Sequence, residues 1–250
     1  MNSTTILNKI NDLNLKGFKE AYERQMEDTN YHSLSFEDRI YNLLDAQYIF
    51  VQNKRIMMNS RLSRIKDKEA CVENINYNPK RKLNKSQILS FITMDFIRNK
   101  QNIIIIGKTG TGKSMISQAL GNRAIIDGFT AYYIRTANLL EEIKLARLAG
   151  SYTNLIKKFA RYKLLIIDDF GVTPISSDDT TNLFEIIEAR SQVSSTIITS
   201  QLPVKDWYGY LQNNTAADAI LDRIVHSSHR VEIEGDSMRK ITSNIDTNYE

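Results

Sequence analysis

The chain has a single cysteine, Cys71, in 250 residues. No internal disulfide can form, and a metal site built on cysteine thiolates is excluded. Only three prolines (Pro79, Pro174, Pro203) and ten glycines interrupt it. The longest apolar runs are strand-sized, so nothing reads as a membrane span. The opening residues, MNSTTILNKINDL, show no positive start followed by an apolar stretch, so no secretory signal is read there. No N-K-x-D motif is present, which removes the base-reading element of a GTPase. No repeat or low-complexity tract stands out. These absences point to a cytoplasmic protein in a reducing compartment.

What is present is ordinary in amount and uneven in placement. Apolar residues make up 42% and charged residues 25%, as in a globular protein with a sizeable core. The net charge is +4 and the pI about 9.0. Residues 51–100 hold twelve Lys and Arg against four acids, a local +8 that leaves −4 for the remainder. A basic segment of this kind suits a polyanion, nucleic acid being the usual one, or else a solvated helix face.

Two patterns divide the chain. Residues 1–78 read as helical. Ile6, Leu7, Ile10, Leu13 and Phe18 recur at roughly helical spacing, with Gly17 a weak point. Ser35-Phe36-Glu37-Asp38 reads as a capping box ahead of an apolar stripe at Ile40, Leu43, Leu44 and Val51. The polar stretch NINYNPKRKLNKS reads as a linker, assigned to 79–86. From 87 to 240 apolar strands alternate with helices: strands at 103–106, 130–135, 164–168, 196–200 and 230–233, helices at 113–126, 152–162, 180–190 and 216–225. Thr136 caps a further helix ending near Gly150. Strands that are apolar throughout imply a parallel sheet covered on both faces, an α/β fold with ligands beyond the carboxyl ends of its strands. Residues 241–250 read as a disordered tail.

Residues 107–114, GKTGTGKS, match G-x-x-x-x-G-K-[ST] at every fixed position, after a strand and at the start of a helix. Such a loop binds a nucleoside triphosphate. Gly107, Gly110 and Gly112 let the backbone turn its amides inward, and Lys108, Thr109, Thr111 and Met115 complete the cradle at a helix N-terminus. Lys113 reaches the β- and γ-phosphates, and Ser114 offers a hydroxyl to Mg²⁺. The stretch LLIIDDFG then ends a core strand on two acids. Side chains alternate along a strand, so Asp168 faces the loop and holds Mg²⁺ through water, while Asp169 orients or deprotonates the attacking water. Thr199, Ser200 and Gln201 end the next strand, where one of them meets the γ-phosphate or makes a strand-end hydrogen bond. Arg223, in AILDRIV, serves as an arginine finger for a neighbouring subunit or pairs within its own chain with Asp222.

Together these motifs resemble the IstB family, AAA+ helper ATPases of insertion sequences that are similar to DnaC helicase loaders. The residues carrying the resemblance are GKTGTGKS, LLIIDDFG, TIITSQLPVKDWY and ADAILDRIVHSSHRVEIEGDSMRK, and it covers essentially the whole chain. It implies an AAA+ three-layer sandwich behind a small all-helical N-terminal domain, and ATP-dependent assembly into a homo-oligomeric ring or filament on double-stranded DNA. It also implies communication with a transposase encoded alongside. It puts the Walker A lysine at Lys113, the Walker B acids at Asp168 and Asp169, sensor 1 at Thr199 or Ser200, and the box VII arginine at Arg223. Arg230 and Arg239 are the candidates for sensor 2. It further implies that the region after the second strand faces DNA, where Lys144, Arg147, Ser151, Tyr152, Lys157, Lys158 and Arg161 would touch phosphates. A DnaC-like loader binding single-stranded DNA is the alternative; it would need aromatic stacking platforms, for which Tyr152 and Tyr162 are the candidates.

Overall fold

The computed structural model describes residues 3–238; the tail read at 241–250, and Arg239, lie outside them. The chain divides into two compact units, Met1–Asn59 and Ser60–Glu250.

The first unit contains α1 (Ser3–Asp12), α2 (Lys16–Glu27) and most of α3 (Phe36–Leu62). The break between the first two falls at Leu13–Leu15, ahead of Gly17 and not at it. Gly17 instead sits where α2 meets α3: a Cβ there would lie 2.5 Å from the Ala46 carbonyl oxygen. The Ser35 hydroxyl accepts from the Asp38 amide at 3.1 Å and so starts α3. Of the expected stripe only Leu43 is buried; Leu44 and Val51 are about half exposed.

The boundary at residues 59/60 lies within α3, nineteen residues before the expected end of the helical domain at 78. The reason is packing. Ile65, Ala70, Val72 and Ile75 are buried in the second unit, and only Ile75 belongs to the polar, proline-bearing stretch. Nor are residues 79–86 a loose tether, because Arg81 and Leu83 are buried and Pro79–Arg81 forms a turn of 3-10 helix.

The second unit continues with α4 (Lys85–Phe91), α5 (Asp95–Arg98), β1 (Asn102–Gly107), α6 (Lys113–Ile126), β2 (Ala131–Arg135), α7 (Thr136–Leu148), α8 (Tyr152–Arg161), β3 (Leu164–Phe170), α9 (Ser177–Arg190), β4 (Ser195–Ser200), α10 (Trp207–Tyr210), α11 (Asn214–Val225) and β5 (Ser228–Ile233). All five strands are parallel, in the order β2-β3-β4-β1-β5. Ile103, Ile104 and Ile105 of β1 are fully buried, as a central strand covered on both faces requires. On one face Ile104, Ile167 and Ile198 pack with Leu139, Phe159, Leu183, Trp207 and Ile220 from the helices. α9 begins three residues earlier than expected because Ser176 and Asp179 form a capping box. Thr136 does not cap α7; it lies inside the helix, and its hydroxyl donates to the Asp168 carbonyl at 3.0 Å, tying α7 to β3. Among the described residues no helix is long and apolar enough to cross a membrane.

Candidate nucleotide site

The carboxyl ends of β1, β3 and β4 converge, and the loop after β1 fills the space between them. Gly110 and Gly112 have φ of +79° and +94°, the left-handed region that turns successive amides inward. At Gly110 even a methyl group would strike Ser237 at 2.1 Å. Lys113 is buried, and its ammonium donates to the carbonyls of Gly107 (2.7 Å) and Lys108 (2.9 Å). The Thr109 hydroxyl donates to Gln201 Oε1 at 2.6 Å, linking the loop tip to the end of β4. A cleft of about 480 Å³ opens here, lined by Gly112, Lys113, Ser114, Met115, Arg135 and Asp169 among others.

The two acids differ sharply. Asp168 is 1% exposed and receives three hydroxyls: Ser114 at 2.9 Å and Thr199 on Oδ1, Tyr133 on Oδ2. These donors hold the carboxylate beside the Ser114 hydroxyl, an oxygen-rich arrangement that fits a hard divalent cation. Burial first, then Asp168, pushes the Tyr133 phenol well above its ordinary pKa, so it stays a donor. Tyr133→Phe is expected to cost about 1.5–3 kcal/mol of unfolding free energy in a urea titration, the worth of a hydrogen bond to a charged group. A loss below about 0.5 kcal/mol would show that the phenol does not hold the acid.

Asp169 has φ +59° at an irregularity in the β3–β4 pairing between Ile167 and Phe170. The bulge, and not simple alternation, aims it. Its amide donates to the Thr199 hydroxyl at 3.2 Å, its side chain is 39% exposed in the cleft, and Oδ2 lies 3.6 Å from Arg135 Nε. The motifs did not reveal Arg135 or Tyr133; position on a strand facing the loop was the available signal.

The register separates Thr199 from Ser200. Thr199 is fully buried and touches both acids. The Ser200 hydroxyl donates to the Phe170 carbonyl (2.8 Å), lies 3.1 Å from the Leu202 carbonyl and accepts from the Leu202 amide, so it holds a turn. Arg223 pairs with Glu188 of α9, not with Asp222, and its guanidinium lies 5.1 Å from the Phe184 ring centroid. The Glu188 hydrogen bond raises its pKa.

The cationic residues of α7 and α8 are not equivalent. Lys157 and Arg161 are exposed. Lys144 lies 3.8 Å from Asp179. Arg147 bonds Asn182 at 2.6 Å and lies 3.7 Å from the centroid of the Tyr152 ring. Lys158 is turned inward to Tyr132 Oη (3.1 Å) and Glu142 (3.2 Å), a buttress between helix and sheet. The Ser151 hydroxyl faces the Ala146 carbonyl at 3.5 Å and is half-buried.

The parallel sheet and its phosphate loop define a nucleotide-binding protein of the P-loop class. A family model described as IstB-like ATP binding protein matches residues 8–245, and the chain belongs to that family. An insertion sequence ATP-binding protein of Sinorhizobium fredii is 36% identical over 235 residues, 94% of each chain. The ATP-binding protein of insertion sequence IS1162 from Pseudomonas fluorescens is 34% identical over 197 residues, 79% of this chain and 85% of that one. Among solved structures, the DnaC helicase loader superposes with a TM-score of 0.54 at 18% identity, covering 68% of this chain and 99% of that one. AMPPCP-bound DnaA from Aquifex aeolicus gives 0.56 at 20%, covering 69% and 53%. At those identities the likeness is one of fold.

Proposed function

We propose that this ATPase is a DNA-bound helper of transposition. With ATP and Mg²⁺, copies of the chain assemble on duplex DNA in the cytoplasm and engage a transposase; hydrolysis dissolves the assembly or resets target choice. Residues 107–115 bind the phosphates, with Lys113 on the β- and γ-groups. Ser114 and Asp168 hold Mg²⁺, which supplies charge neutralisation at those groups. Asp169 takes the water's proton, and Thr199 fixes both acids as sensor 1.

The observation that carries assembly is the place of Arg223. The phosphate loop leaves the carboxyl end of β1. Arg223 lines a separate hollow of about 590 Å³ at the amino end, with Lys100, Asn102 and Thr196. Six residues of strand separate the two ends, roughly 16 Å at about 3.3 Å per residue. An arginine there serves the γ-phosphate of another copy, after exchanging Glu188 for it.

Lys157 and Arg161 offer the freest phosphate contacts, with Lys144 and Arg147 beside them; Lys158 is a buttress in this reading. The loader alternative is weakened by one geometry. The Tyr152 ring is covered by the Arg147 guanidinium, and Tyr162 stands 4.8 Å from Tyr132, so neither is an open platform for bases. Fluorescence anisotropy with labelled duplex and single strands, with and without Mg-ATP across a salt series, tests the proposal. Duplex binding that needs ATP and falls steeply with salt is expected. Preference for single strands would mean a helicase loader; binding to neither would remove DNA and assign the basic residues to a protein partner.

A further inference from the structure

Arg81 is a buried cation with no carboxylate paired to it among the described residues. It is 6% exposed, while Lys80 and Lys82 beside it are exposed. Its Nη1 donates to the Asn76 carbonyl and its Nη2 to the carbonyl of Thr111 in the phosphate loop; Nε has no partner. Among the described residues no carboxylate forms an ion pair with it. Removing a guanidinium from water without a counter-charge is unfavourable. Arg190, also buried, differs: Phe159, Tyr162, Ser195 and Thr196 offer oxygens to its nitrogens.

The position of Arg81 selects the anion. Nη2 lies 3.0 Å from where Gly112 would carry a Cβ. The side chain lines a cavity of about 210 Å³ with Ile75, Met115 and Met238, and Gly112, Met115 and Met238 also line the cleft over the loop. The cavity therefore adjoins the place where the loop's amides gather phosphate. We propose that Arg81 is a further phosphate-binding residue of the ATP site, carried by the segment before α4 and not by the loop itself. This rests on the reading of residues 107–114 as the ATP site.

The same residue links nucleotide to the chain on both sides. The Arg81 carbonyl accepts from the Glu234 amide at 3.0 Å, Lys82 pairs with Glu234 at 2.9 Å, and the Met238 amide donates to the Gly110 carbonyl at 2.8 Å. A phosphate on Arg81 fastens residues 76–82 and 234–238 onto the loop together.

The test is displacement of a fluorescent ATP analogue by ATP and by inorganic tripolyphosphate, which has no base. Arg81→Gln is expected to weaken both competitors at least about tenfold, the scale of a charge-assisted hydrogen bond. Arg81→Lys, which keeps the charge and guards against misfolding of the first variant, should lose less for both. Unchanged affinity for both, or weakened ATP with unchanged tripolyphosphate, would overturn the proposal. A wild-type protein that binds the analogue no better than Lys113→Ala would instead remove the ATP-site reading itself.

Discussion

Replacing Asp169 by asparagine is expected to leave ATP binding intact and to lower turnover by about two to four orders of magnitude, the usual contribution of a general base. Asp168 cannot take over. It is buried, held by hydroxyls of Ser114, Tyr133 and Thr199, and does not line the cleft. Asp169 is the acid with an oxygen open to the cleft. Its partner, Arg135, stands 3.6 Å away with both side chains more than a third exposed, a pairing worth little and easily given up for water. Asparagine is the right probe because it fits the same space and tolerates the left-handed backbone at this position. Single-turnover hydrolysis with saturating ATP, beside a binding titration, separates the two effects. Unchanged turnover would remove Asp169 from the chemistry and leave it the role of orienting the turn before Gly171.

The second large effect is expected from Lys113→Ala. ATP affinity should fall by about a hundredfold or more, as two charge-assisted contacts to phosphate are lost. Nucleotide-dependent assembly on DNA should disappear with it. The ammonium now sits on two backbone carbonyls of its own loop. A phosphate is the better acceptor, so the lysine is already placed and need only change partner. Light scattering or sedimentation with duplex and ATP gives the answer. Assembly that persisted in the variant, or in wild type without nucleotide, would end the idea that ATP controls it.

The parts of this site that the sequence made legible are those set by local rules. GKTGTGKS carries its own geometry, and the strands buried on both faces could be found because such burial leaves a continuous apolar run; edge strand β5, SHRVEI, buries only Val231 and Ile233. What stayed hidden depends on residues far apart. Thr199 and Ser200 are indistinguishable by type, and only the pairing of β4 with β3 turns one hydroxyl to the acids and the other to a turn. The bulge at Asp169 arises from that same pairing, so the direction of its side chain is set there and not by strict alternation. Arg81 belonged to a run of three cations, a pattern that favours solvent; its burial comes from the loop and from residues 234–238, more than a hundred positions later. Arg223 found Glu188 and not its neighbour Asp222 because α9 packs against α11, a contact no spacing within AILDRIV encodes.

The sheet order also has a consequence in time. β1, which carries the phosphate loop, pairs with β4 and β5, whose residues lie some ninety to a hundred and thirty positions downstream. Pairings of such sequence separation form late, because the closure of a long loop must come first. During synthesis β1 is made early; its β4 neighbour is complete only at Ser200, and its β5 neighbour only at Ile233. A nucleotide that binds the closed sheet and not the open chain would, by mass action, draw slow, incomplete chains toward the folded form. The ATP level of the cell would thus influence how many copies reach the working form, apart from any effect on those already there.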